Sequence, residues 1–186
     1  LNMLLDSIWA NYPMKQWQEF RERYLWCNTI DNVYKANAAA LQDIHNKLFP
    51  RYGANGCHDC VNLIANETPA LGLSAKDVAH CFGMSKMTVK DEVGSQSEYD
   101  KLRFVEFLEF LARVADSAFK HELNMDLGDK VQRTLDEVFP AYGHKRKDVG
   151  DDSGAGESTD ESVFVDIDVV EEAERSRAQH GDEEAL

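Results

Sequence analysis

Cys57-His-Asp-Cys60 is the run in this chain whose residue types and spacing are best suited to chemistry. Two cysteines separated by two residues serve either as a dithiol redox pair or as half of a four-ligand zinc site. A redox pair needs its thiols at the start of a helix beside a β-sheet; a helix can start here, but no alternating strand and helix pattern surrounds it. A zinc site needs two further ligands, and Cys27, Cys81, His45 and His80 make neither a second CxxC nor an HxxxH. Glu106 and Glu109 stand three apart, as paired acids on an amphipathic helix do. There is no GxSxG, no glycine-rich phosphate loop and no HExxH. The expectation is that the chain is not an enzyme and that the two cysteines are small apolar residues lining a helix start. A zinc or redox protein built on Cys57 and Cys60 is the alternative.

Composition narrows the class. The chain has 186 residues, 43% hydrophobic, enough for one domain with a real core. Of the formal net charge of −14, residues 148–186 carry −12 (14 acidic, 2 basic), and residues 1–147 carry −2 (20 acidic, 18 basic). A body so nearly neutral lacks the basic excess that nucleic-acid binding requires. No apolar run approaches the ~20 residues of a membrane-spanning helix. Four cysteines in a chain of this length are too few for a disulfide scaffold and fit a reducing, cytoplasmic compartment. A first residue that is Leu rather than Met leads to the expectation of a fragment or processed form.

The elements that would position these residues are helical. Asn2 to Ala10 is read as a short helix, interrupted by Pro13. Met14 to Cys27 places Trp17, Phe20 and Tyr24 on one face. A helix from an Asp31 N-cap to Phe49 is stopped by Pro50. His58 to Asn66 is a short helix. Ser74 opens another, with Asp77 completing a variant of the capping box and Gly83 as its C-cap. Met84 to Lys101 is a long polar connection. Leu102 to Phe104 alternates like a strand, and Val105 to Phe119 is an amphipathic helix with Phe107, Leu108, Leu111, Val114 and Ala118 inward. A last helix runs from Gly128 to Phe139 and ends at Pro140. The fold class expected is all-α. Residues 1–30 are flanking helices, 31–143 the helical domain, and 144–186 a disordered acidic tail.

Helix 31–49, a loop around 50–56 and helix 58–66, followed by helix 74–83, the long connection and helix 105–119, resemble a pair of EF-hands. The run Leu102-Arg-Phe-Val-Glu-Phe-Leu carries the likeness: an aliphatic residue at loop position 8, Glu106 at position 12, then the aromatic Phe107. The resemblance implies a ligand set of Ser95, Ser97, Tyr99, Lys101 (through its carbonyl) and Glu106 at positions 1, 3, 5, 7 and 12. Serines and a tyrosine replace the acids that calcium needs at 1, 3 and 5, and Asp100 stands where glycine makes the turn. In the first unit Cys57 falls at position 8 and Val61 at position 12. The implied module is a degenerate EF-hand pair that keeps its packing; a calcium sensor with one Ca2+ in the second loop is the alternative. The segment Cys81-Phe-Gly-Met-Ser-Lys-Met-Thr-Val with Leu102 to Phe110 is similar to EF-hand-type modules in large proteins of ciliated or flagellated protists. That likeness implies a cytoskeletal or axonemal setting.

Two further segments are candidates for partner binding. Trp17, Phe20 and Tyr24 form the aromatic side of a helix suited to a groove, whether on a partner or on its own domain. In the acidic tail, Val165, Ile167, Val169 and Val170 alternate in a way that suits addition to the edge of a partner sheet. Ile167-Asp-Val-Val170 followed by acids resembles a SUMO-interacting motif. The function expected is a non-enzymatic protein–protein interaction or scaffold module of a larger assembly, with no resident cofactor.

Overall fold

In a computed structural model of the chain, the described residues are 18–50, 56–87, 91 and 93–148. The chain divides into two units, 1–151 and 152–186, and all described residues lie in the first. Trp17, Val165, Ile167, Val169 and Val170 lie outside them, as does the N-terminal helix read at Asn2 to Ala10. Among the described residues every regular element is helical and no strand occurs, so the all-α expectation holds.

Helical backbone at 18–20 runs into a π-helical turn, Arg21–Leu25. Then follow α1 (Asn28–Ala36), α2 (Ala38–Leu48) and α3 (Gly56–Val61), which continues as a second π turn, Asn62–Glu67. After a 3₁₀ turn at Pro69–Leu71 come α4 (Ala75–Ser85), a 3₁₀ turn at Gln96–Asp100, α5 (Phe104–Ala118) and α6 (Leu127–Ala141).

The centre is α5. From Glu106 to Ala115 every residue is buried, charged ones included. Such all-round burial belongs to a helix packed on several sides rather than along one stripe. Around it, α4 contributes Val78, Cys81 and Phe82, and α6 contributes Val131, Leu135, Val138 and Phe139. α1 and α2 contribute Ile30, Val33, Leu41 and Ile44 to the same cluster. Phe107 stacks on Phe110, and Phe110 meets Phe82 edge-on, both with centroids 6.4 Å apart.

The structure corrects several local readings. The helix read as 31–49 is two helices broken at Asn37. Asp31 is not its cap; it lies inside α1 and pairs with Lys35 at 2.7 Å, one turn on. Leu102 to Phe104 is not a strand: Lys101 and Arg103 are extended, and α5 already starts at Phe104. Gly83 is not a C-cap but lies within α4, which continues to Ser85. Pro140 sits within the last turn of α6 rather than ending it. The Ser74 capping box is formed as read: the Asp77 amide donates to Ser74 Oγ and the Ser74 amide to the Asp77 carboxylate.

The start of α3 and the 3₁₀ turn before α5 approach closely. A Cβ on Gly56 would collide with the Asp100 carbonyl oxygen and the Phe49 ring. His45 on α2 bonds the Leu102 carbonyl through Nε2 at 2.8 Å. At the other end, Tyr142 to Asp148 returns along the body. His144 Nε2 lies 2.7 Å from Asp43, and Arg146 Nε donates to Asp136 at 2.8 Å. The Asn37 amide pairs with the Lys147 backbone in both directions, accepting from its N–H at 2.7 Å and donating to its carbonyl at 3.1 Å.

Candidate functional site

Glu106 is only 1% exposed and opens the first turn of α5. A buried carboxylate must be paired and hydrogen-bonded to be tolerated. Here one oxygen accepts from the Met87 amide at 2.6 Å. The other accepts from the Arg103 amide at 2.7 Å, which caps α5 from its own third residue, and from Lys86 Nζ at 3.0 Å. The Lys86 ammonium reaches further, donating to the Lys101 carbonyl at 2.8 Å. Its side chain is 11% exposed, so the pair sits largely out of water. Glu106 thus ties the end of α4, the Lys101 turn and the start of α5 together.

The residues of the implied calcium loop are only partly assembled there. Lys101 and Glu106 meet through Lys86. Ser97 and Tyr99 lie exposed on the 3₁₀ turn Gln96–Asp100, and Ser95 is half-buried just before it. A calcium site draws on six to eight oxygens at one point, whereas the oxygens converging at Glu106 and Lys101 receive an ammonium group. The donor set found here does not fit a divalent cation. The sequence held no sign of Lys86, because a lysine in a polar connection has no spacing rule to single it out.

A second buried carboxylate lies one turn along. Glu109 is 0% exposed, and Arg21 Nε meets one of its oxygens at 2.7 Å while Arg113 meets the other at 2.8 Å. The Arg113 guanidinium also lies over the Phe20 ring, 4.4 Å from its centroid. Arg21 and Phe20 belong to the N-terminal segment, so this cluster fastens that segment to α5. Beside it the Tyr34 hydroxyl donates to the Leu108 carbonyl at 2.7 Å. Burial, with the Glu109 charge nearby, pushes the Tyr34 phenol well above its ordinary value.

Of the aromatic face read on this segment, Phe20 is buried and Tyr24 is not. The π turn shifts the inward register by about one residue, so the residue buried after Phe20 is Leu25, at five, while Tyr24, at four, is exposed with its ring 6.4 Å from that of Phe20. Leu25 is 1% exposed; Tyr24 and Trp26 are turned outward, 52% and 55% exposed.

Cys57 is half-buried and Cys60 buried. Burial pushes both thiols up, Cys60 strongly; the Asp100 charge adds to the rise at Cys57, and the charges of Cys57 and Asp59 add to it at Cys60. Redox nucleophiles and zinc ligands need the opposite, a stabilised thiolate. Among the described residues no three His, Cys, Asp or Glu side chains gather in a way that suits a metal.

His45 lies among Phe49, Phe104 and Phe107, with centroids 5.1 to 5.6 Å away. Burial lowers its imidazole below the ordinary histidine value, against the Leu102 carbonyl, which favours the charged form. Its Nδ1 is buried with no hydrogen-bond partner, as in the neutral tautomer carrying its proton on Nε2.

Comparison with protein families, with characterised proteins and with solved structures gives no match.

Proposed function

We propose that this chain is a metal-independent helical interaction module, a degenerate EF-hand pair acting as a docking piece of a larger protein assembly. The observation that carries the reading is the closure of Glu106 by the chain's own donors, Lys86 Nζ and the Met87 and Arg103 amides. A carboxylate so bound holds α4 and α5 together without an external ion. The buried Arg21–Glu109–Arg113 cluster supports the same reading, because it fixes the N-terminal segment on α5 as a built-in helix rather than leaving a groove to open. The outward Tyr24 and Trp26 give the fixed segment the aromatic side chains that dominate protein–protein contacts. A cytoplasmic setting, from the cysteine usage, and a cytoskeletal or axonemal one, from the sequence likeness, are part of the proposal.

Calorimetric titration with calcium tests it. The expected result is no saturable heat through the millimolar range. Heat of near-unit stoichiometry at micromolar calcium, abolished by Glu106→Gln, replaces the proposal with a calcium sensor.

A further inference from the structure

The segment after α6 lies on the body as a peptide ligand lies on a receptor. From His144 to Lys147 exposure alternates: His144 and Arg146 are half-buried, Lys145 and Lys147 exposed. A period of two belongs to an extended chain with one row of side chains turned inward. Each inward side chain meets an acid on a different helix. His144 Nε2 lies 2.7 Å from Asp43 on α2. Arg146 Nε donates to Asp136 on α6 at 2.8 Å, and its Nη1 to Gln132 at 3.2 Å and to Asp148 within the segment.

The main chain is read as well. Asn37, between α1 and α2, is 3% exposed, and its Nδ2 donates to the Val33 carbonyl at 2.9 Å. That bond orients the amide from α1 alone. The same amide then meets both the N–H and the C=O of one residue, Lys147. A primary amide carries a donor and an acceptor side by side, which matches a peptide main chain and ignores its side chain. The receiving groups also have support of their own. Asn37 keeps Val33, Asp43 keeps Lys47 at 2.6 Å, and the Asp136 carboxylate is open to water. Departure of the segment strands none of them.

We propose that Asn37, Asp43, Gln132 and Asp136 form a receptor for an extended basic peptide, with residues 144–147 as its occupant in cis. The partner it fits is a protein segment with a histidine or other basic side chain two residues before an arginine. The chain's own segment keeps the site filled until such a partner competes for it. The inference goes beyond the docking reading above: it draws on α1, α2 and α6 and uses neither Glu106 nor Lys86. A tethered occupant acts at an effective concentration in the millimolar range, so a free peptide binds the filled site more weakly than a vacated one.

The probe is a fluorescein-labelled, end-blocked peptide Tyr-Gly-His-Lys-Arg-Lys-Asp, titrated by anisotropy at one ionic strength. It is added to the wild-type chain and to His144→Ala/Arg146→Ala, which loosens the occupant and leaves the four receptor residues intact. Saturable binding to the double variant is expected, about tenfold or more tighter than to wild type. A second peptide, N-methylated at the lysine before the aspartate, keeps every charge but loses the N–H that Asn37 accepts. It is expected to bind about tenfold more weakly. No saturable binding to the folded double variant, equal binding to both chains, or equal binding of both peptides overturns the inference; the last reduces it to charge attraction. If the double variant does not fold, hydrogen exchange of the wild-type chain decides. Millimolar unlabelled peptide is expected to speed exchange at the Lys147 amide several-fold, and unchanged exchange overturns the inference. A wild-type chain whose Lys147 protection falls on dilution also overturns it, the segment then sitting on a second copy.

Discussion

Glu109 and His45 are two buried polar side chains whose surroundings make opposite demands. At Glu109 the charge is kept, because two guanidinium groups meet one carboxylate. Glu109→Gln leaves both Arg21 and Arg113 short of a counter-charge in the interior, and its expected cost is about 3–5 kcal/mol, read as a lower urea midpoint at unchanged slope. At His45 the charge is refused. Its folded pKa lies below the unfolded value of about 6.5, so the unfolded chain binds the proton more readily. Stability from this residue is full above that unfolded value and falls as pH drops through it toward the folded value. Thermal melts from pH 7.5 to pH 5 are expected to show that fall. His45→Gln, which keeps a donor for the Leu102 carbonyl, is expected to flatten it; an unchanged slope contradicts the assignment.

Element boundaries decide which of these residues meet. The π turn Arg21–Leu25 brings Leu25 rather than Tyr24 inward. Leu25→Ala is therefore expected to cost about 2–5 kcal/mol, and Tyr24→Ala no more than about 0.5 kcal/mol, by denaturant unfolding. An α-helical register would reverse that order. Gly56 has its reason in the approach of the start of α3 to the 3₁₀ turn and the end of α2, since a methyl group there would collide with the Asp100 carbonyl and the Phe49 ring. Gly56→Ala is expected to lower Tm by several degrees, with the loss centred on the start of α3 and the 3₁₀ turn.

These elements also show what the sequence makes legible. The long apolar periodicity of α5 and the Ser74–Asp77 cap are local signals, and both formed close to where they were read. The break at Asn37 is set by more than local sequence: its amide bonds the Val33 carbonyl four residues back and also the Lys147 backbone, 110 residues away. The π turns are likewise invisible to a 3.6-residue template, which puts Tyr24 on the inward face. Glu106 was readable as the end of a loop, but its partner Lys86 was not. Lysines in polar connections are ordinarily solvated, and only the fold puts this one beside a buried carboxylate.

At the scale of the whole molecule, the described body is one helical unit closed by charged groups from distant parts of the chain. Arg21 closes one side on Glu109, Lys86 closes the turn between α4 and α5, and the segment carrying His144, Arg146 and Lys147 closes the α1–α2 break. Asn37→Ala is expected to speed hydrogen exchange at the Lys147 amide by about tenfold, the loss of roughly one hydrogen bond, while the α5 amides keep their protection.

The central claim is that this body holds its form without calcium. It is tested most directly by proton–nitrogen correlation spectra of the wild-type chain in EDTA and in millimolar calcium, followed at the Met87 and Arg103 amides that donate to Glu106. The account predicts that both resonances stay in place. Saturable movement of both, accompanied by shifts along α4 and α5, would contradict it.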